Sequence, residues 1–124
     1  AAGAGLGVRF LRHIERTRLL VHVVDVSEAG GDPVAALTTA ESELAAYNSV
    51  LLHLPRIAAA NKIDLPHAER LAQLRALCAS RKIPVLPVSA LTGEGISALV
   101  GEIATMLRAA QETFHDLAEN AAHR

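Results

Sequence analysis

Two kinds of apolar pattern alternate along the chain. Short β-branched or Ala-rich runs at 19–26 (LLVHVVDV), 56–60 (RIAAA) and 83–88 (IPVLPV) read as strands. Between them the apolar residues recur at helical spacing. Leu37, Leu44, Tyr47 and Leu51 mark a helix over 33–53 that Asp32-Pro33 opens and Asn48 interrupts. Leu71, Leu74 and Leu77 mark a second helix over 67–81, started by Pro66. After Gly93-Glu94-Gly95, a long helix carries Ile96, Leu99, Val100, Ile103, Met106 and Leu107. Near the start, Leu6, Phe10, Leu11 and Ile14 predict one more helix over 6–17, with Arg9, Arg12, His13 and Arg16 on its other side. Ser27–Asp32 supplies turn chemistry after the first strand.

The order is therefore helix, then strand–helix three times. Helical connections between short apolar strands imply right-handed βαβ crossovers and a parallel sheet. LLVHVVDV is apolar enough to be buried on both faces. Pro84 and Pro87 make 83–88 an edge strand. Three strands form a narrow sheet, and nothing in the pattern covers the other edge of the first. Residues 1–108 are expected to form the α/β unit. The more polar 109–124 is expected to be a helical extension or the start of a linker.

Composition narrows the classes. The chain has 124 residues, suited to one small domain, and its apolar fraction of 51% can fill a core. Only 2% is aromatic, so that core must be aliphatic. A formal net charge of -1 argues against DNA or RNA binding driven by bulk charge. A single cysteine, Cys78, excludes an internal disulfide framework and fits a reducing, cytoplasmic setting. No run reaches the length of a membrane span, and AAGAGLG has neither a basic nor a long apolar segment of the signal-peptide kind. The absence of an initiator Met suggests a chain that begins inside a longer protein. His13, His22, His53, His67, His115 and His123 are dispersed without metal-ligand spacing.

Chemistry concentrates where the second strand stops, at Asn61-Lys62-Ile63-Asp64. In doubly wound folds ligands bind beyond the carboxyl ends of strands. A carboxylate at Asp64 can accept two parallel hydrogen bonds from a planar N–H/NH₂ edge. Guanine presents that edge and adenine does not. The Asn61 amide can bond a base acceptor or fasten neighbouring loops. The Lys62 stem can lie across a base plane while its ammonium stays in water. A surface turn is the bland alternative, but Asn-Lys-x-Asp arises by chance in roughly one chain in a hundred of this length. Val88-Ser89-Ala90-Leu91 ends the third strand at the same sheet edge. The Ser89 hydroxyl can orient Asp64, and the small Ala90 lets its N–H approach a carbonyl such as guanine O6.

NKID and SAL resemble the base-recognition motifs of translation-factor-class P-loop GTPases. GAGLGVRFLRHIERTRLLVHVVDVS resembles the Obg family more narrowly, as do GGDP at 30–33 and YN at 47–48. The similarity covers roughly residues 3–107 and is strongest over 5–27 and 60–66. It implies the C-terminal half of a three-layer α/β/α P-loop GTPase domain, the first half lying outside these residues. By that resemblance Asn61, Lys62, Asp64, Ser89 and Ala90 hold the guanine of GTP or GDP. The family's Mg²⁺-dependent GTP hydrolysis and its partner, the large ribosomal subunit, follow as expectations for an intact protein.

No Gly-x-x-x-x-Gly-Lys-Ser/Thr occurs, and the only lysines are Lys62 and Lys82. Without that loop there is no cradle for phosphates and no hydroxyl for Mg²⁺, so no catalytic residue is assigned and hydrolysis is not expected of these residues alone. Gly3, Gly5 and Gly7 lack a preceding strand and read as a switch remnant. The competing function is a non-catalytic ribosome- or protein-binding module that keeps only the base-binding half. Asp25, at the end of a strand with Lys62 after a later one, superficially matches a phospho-acceptor receiver. That fold leaves Asp64 unexplained, so Asp25 reads better as a loop-orienting residue. The Arg9, Arg12 and Arg16 face reads as solvated, and Cys78 as an inert helix residue.

Overall fold

The computed structural model describes residues 16–122. The helix expected over 6–17 and the glycines before it fall almost wholly outside the described residues. Strand β1 spans Leu20–Asp25, β2 Arg56–Asn61 and β3 Val85–Pro87. Helix α1 spans Pro33–Tyr47, α2 Ala68–Arg81 and α3 Ile96–Ala122. Single 3-10 turns follow β1 at Glu28–Gly30 and α1 at Ser49–His53. The sheet order is β1-β2-β3, every pair parallel, with Leu20 opposite Arg56 and Asp25 opposite Asn61. This is the expected α/β arrangement of three parallel strands with flanking helices, with β3 at an edge.

Local chemistry explains the helix boundaries. Asp32 caps α1, its Oδ1 accepting from the N–H groups of Val34 at 2.9 Å and Ala35 at 3.3 Å. Pro33 has no N–H to leave unsatisfied in that first turn. At Asn48 the helix breaks as expected. The Asn48 side chain accepts from the Val50 N–H at 3.0 Å and starts the 3-10 turn. Helix α2 closes on Lys82, whose φ of 57° is the left-handed conformation usual just past a helix end.

The core lies between the sheet and the pair α1 and α2. Val24, Val26, Leu37, Ala58, Ala60, Leu74, Cys78 and Ile83 form its main cluster. Leu20, Leu44 and Leu51 form a second cluster beneath the 3-10 turn. The run Ile57–Ala60 is buried on both faces, as a central parallel strand should be. β1 differs from its expected burial. Leu20, His22 and Val24 are buried, whereas Val21 and Val23 on its other face are 37% and 69% exposed. Among the described residues β1 is an edge strand, and its outer face is most open at Val23.

The apolar positions of the last helix are unevenly covered. Leu99, Ile103 and Met106 are half-buried, but Val100 and Leu107 are exposed. Glu102 and Met106 line an open cleft of about 320 Å³ with Arg56, Ile83 and Pro84, at the amino ends of the strands. The helix continues unbroken through the polar region beyond 109 to Ala122.

Candidate functional site

Parallel strands place all their carboxyl ends at one edge, and the loops there carry the chemistry. Asn61 is the last residue of β2, directly opposite Asp25 at the end of β1. The β-ladder extends one step further, the Val26 N–H donating to the Asn61 carbonyl at 3.1 Å. On the other side, the Val88 N–H donates to the Ala60 carbonyl at 2.8 Å and the Ile63 N–H to the Val88 carbonyl at 3.2 Å. The NKID loop is therefore held between the loops after β1 and β3.

The five residues singled out from the sequence converge here. Ser89, fully buried, donates its hydroxyl to Asp64 Oδ1 at 2.8 Å, leaving the exposed carboxylate aimed by a fixed neighbour. The same Ser89 Oγ accepts from the Thr92 N–H at 3.1 Å. The Asn61 side-chain oxygen accepts from the Ala90 N–H at 3.0 Å, so Asn61 fastens the β2 loop to the β3 loop. That bond modifies one expectation. The Ala90 N–H, read as a donor to a ligand carbonyl, is engaged by Asn61 in the structure.

Two glycines shape the β3 loop. Gly93, with φ of 87°, donates its N–H to the Ser89 carbonyl at 2.8 Å and turns the chain back. Gly95, with φ of 77°, lies so close to the backbone that a Cβ there would collide with the Pro87 carbonyl. The sequence reading took this Gly-Glu-Gly as a helix start and missed the close approach behind it.

Lys62 has a φ of 77°, a conformation that costs any residue with a Cβ. Its ammonium binds Asp25 Oδ2 at 2.8 Å, with Lys62 half exposed and Asp25 29% exposed. Asp25 Oδ1 accepts from the Ser27 N–H at 2.9 Å and the Ser27 hydroxyl at 2.7 Å. The hydrogen bond from Lys62, reinforced by those from Ser27, holds the Asp25 carboxyl below its ordinary range despite some desolvation. The same bond, and more weakly the charge of Asp64, raises the Lys62 ammonium above its usual value. Asp25 thus orients the loop that follows it. Nothing in the residue pattern signals its bond to Lys62 beyond the position of both at strand ends.

At the opposite end of the sheet lies a charge cluster that the sequence reading did not contain. Glu41 of α1 accepts from Arg56 of β2 at 2.9 Å and from Arg81 of α2 at 3.2 Å. Arg56 also approaches His22 Nε2 at 3.4 Å. Among the described residues, no group of three or more His, Cys, Asp or Glu side chains could hold a metal ion. No helix among them is long and apolar enough to cross a membrane.

Comparison with known proteins places these loops in context. A protein named GTPase Obg from Desulforudis audaxviator is 54% identical over 99 residues, which is 79% of this chain and 23% of that protein. Another of that name, from Acidobacterium capsulatum, is 48% identical over 108 residues, 86% of this chain and 32% of its own length. A third, from Bacillus cereus, is 40% identical over 120 residues, 95% of this chain and 28% of its own. The chain thus spans about a quarter to a third of the length of these relatives. No protein-family model matches it.

Proposed function

Since the chain belongs to the Obg GTPase family, we propose that the loops after β2 and β3 read the guanine base of GTP and GDP. One observation carries this reading. Asp64 stands exposed at the carboxyl edge of the sheet with Ser89 holding one of its oxygens at 2.8 Å. A carboxylate fixed in this way can accept the ring N–H and exocyclic amine of guanine as two parallel, charge-assisted hydrogen bonds. Fixing it beforehand reduces the ordering that a ligand must impose. Asn61 and Ala90 complete the pocket edge. The bond between them orders both loops, and the Ala90 N–H can turn to a base carbonyl as Asn61 shifts its acceptor. Lys62 supplies an aliphatic stem for one face of the base.

In this reading the chain's own residues bind and orient the base. Groups outside these residues hold the phosphates and the Mg²⁺ that supports water attack on the γ-phosphate. These 124 residues alone therefore bind guanine nucleotide weakly and do not hydrolyse GTP. Titration of the chain with fluorescent GDP, beside the full-length protein, tests this. Sub-micromolar affinity or Mg²⁺-dependent turnover by the chain alone would overturn it. For the full-length protein we propose GTP hydrolysis coupled to assembly of the large ribosomal subunit in the cytoplasm. Family membership supports that role, and nucleotide-dependent co-sedimentation with the large subunit tests it.

Base reading has its own test. Asp64→Asn replaces an acceptor with an amide donor, which suits the C2 carbonyl of xanthine and mismatches the guanine amine. The full-length variant should lose GDP affinity by about tenfold to a hundredfold, as expected when a bidentate charged contact is lost, and should gain xanthosine diphosphate. A variant that discriminates the two bases as the unmodified protein does would rule out Asp64 as the reader.

A further inference from the structure

We propose that Asp25 is a positioning residue for base binding, acting through Lys62, and that Gly30 is required because the loop closes directly over the Asp25 carboxylate. This inference rests on the base-reading role of the NKID loop and adds to it a residue from outside its motifs.

The geometry leaves Asp25 an unusual place. It ends β1 on the same rung of the sheet where Asn61 ends β2. Lys62 is the next residue, and its backbone turns through a φ of 77°. A lysine held in that conformation has its side chain sent back across the sheet end, where Asp25 Oδ2 receives the ammonium at 2.8 Å. A lysine stem normally samples many rotamers in water and loses that freedom when it packs on a ligand. Here an ion pair ends the stem at a fixed point before any ligand arrives. Lys62 remains 50% exposed, so the stem stays available to a base.

Asp25 is fixed in turn by its own surroundings. Its second oxygen takes two hydrogen bonds from Ser27, one from the backbone and one from the hydroxyl. The 3-10 turn Glu28–Gly30 folds back over the carboxylate, the Gly30 N–H donating to the Ser27 carbonyl at 3.0 Å. A Cβ at Gly30 would run into the Asp25 carboxylate from all sides, meeting its Cγ and both oxygens. The Glu28 N–H donates to the Pro66 carbonyl at 2.9 Å, tying this turn to the far end of the NKIDLP loop. The loop after β1 therefore does more than connect to α1. It packs a carboxylate against the lysine of the neighbouring loop, and a Cβ at Gly30 would push that carboxylate from its place.

An ionised carboxylate gives one oxygen to the ammonium and the other to Ser27, whereas an amide of the same shape has a single acceptor oxygen and cannot serve both. Asp25→Asn keeps the shape; with its oxygen still accepting from the Ser27 N–H it turns an NH₂ toward the ammonium, so it frees Lys62 and spares the turn. Release of fluorescent GDP from the full-length protein reads the effect, with Asp25→Asn, Lys62→Met, the double variant and Asp64→Asn compared to the unmodified protein. Asp25→Asn should speed release about three- to tenfold, the range expected when a partly exposed charge-assisted hydrogen bond that orders a binding residue is lost. It should leave the preference for guanine over xanthine as it was. In the Lys62→Met background the same substitution should change release by less than about twofold, because the partner through which it acts is gone. Gly30→Ala should follow Asp25→Asn in direction.

A purely structural Asp25 would act equally in both backgrounds, and that result overturns the proposal. Unchanged release in Asp25→Asn overturns it as well. The Asp64→Asn arm separates the two levels of the claim. If Asp64→Asn gains xanthine while Asp25→Asn fails, base reading stands and the role of Asp25 falls. If Asp64→Asn keeps the guanine preference, base reading fails and the Asp25 proposal falls with it.

Discussion

Both ends of the sheet carry a carboxylate gripped by basic side chains, and the two grips sit in different surroundings. At the amino end, Glu41 joins Arg56 and Arg81, with only 12% of Glu41 and 10% of Arg56 exposed. At the carboxyl end, Asp25 joins Lys62, with 29% and 50% exposed. Arg56 uses a planar guanidinium, which suits a fixed, nearly dry contact between three elements. Lys62 uses a compact ammonium on a long stem, which suits a contact that stays wet and can share its stem with something else. The first arrangement joins α1, β2 and α2 into one unit. The second joins two loops at the edge where a ligand would arrive. The same pairing of charges thus holds the fold in one place and a binding surface in the other, and burial separates the two roles.

The largest expected effect comes from breaking the buried grip. Glu41→Ala leaves Arg56 nearly buried without its carboxylate, which should destabilise the chain by about 3 kcal/mol. Urea unfolding of the purified variant measures it. A loss below half of that would mean that water reaches Arg56 freely and that the two ends differ less than their exposures indicate. Next is Ser89, a buried anchor at the carboxyl end. Ser89→Ala removes the donor to Asp64 and the acceptor for the Thr92 N–H, and should cost about 1–2 kcal/mol. The same variant should weaken GDP binding, because Asp64 loses its orienting bond, so stability and affinity fall together here as they do not at Lys62.

Acid should act first on the amino end. Burial, with Arg56 beside it, lowers the His22 pKa from its ordinary 6.5, and Glu41 opposes this only in part. The unfolded chain therefore binds the proton more readily. The stability supplied by neutral His22 is complete above pH 6.5 and is lost as pH falls through the lowered folded value. Burial pushes Glu41 up, but hydrogen bonds and charge from Arg56 and Arg81 outweigh it and leave its pKa below the ordinary 4.5. Its contribution is complete above that pH and is lost further into acid. Unfolding curves at a series of pH values should show an early decline that His22→Asn removes and a later one that it leaves. The smallest stability effect is expected at Lys62. Lys62→Met should melt close to the unmodified protein, since an exposed pair contributes little to folding. A large fall in melting temperature would make the carboxyl-end grip structural after all and erase the contrast.

The alternation of strands and helices was legible because burial imposes it on the apolar pattern. The starts of α1 at Asp32-Pro33 and of the 3-10 turn at Asn48 were equally legible, since capping uses local residue types. The one-sided burial of β1 is not legible in the same way, because the outer Val21 and Val23 are as apolar as the inner Leu20 and Val24. Only the neighbours of a strand decide which side is covered. The same limit explains Val100 and Leu107 on α3. Glu41, Arg56 and Arg81 could not be joined from sequence. They come from three elements, and charged residues on helices look like an ordinary solvated face. At the candidate site, residue types and strand ends brought Asn61, Asp64, Ser89 and Ala90 to one edge. What stayed hidden were bonds that depend on backbone shape, such as the turn at Lys62, the closure of Gly30 over Asp25, and the use of the Ala90 N–H by Asn61.

The register of β1 against β2 decides which end groups can meet. Side chains alternate faces along a strand, so sliding β1 by a single residue against β2 would send Asp25 to the opposite face. Lys62 would then meet no carboxylate, and the loop closed by Gly30 would have nothing beneath it. An out-of-step sheet could still bury much of its aliphatic surface, since Ala58, Ala59 and Ala60 are interchangeable in size. It could not assemble the charged end. The contact between Asp25 and Lys62 thus belongs to the observed register of β1 against β2 and to no register one residue away.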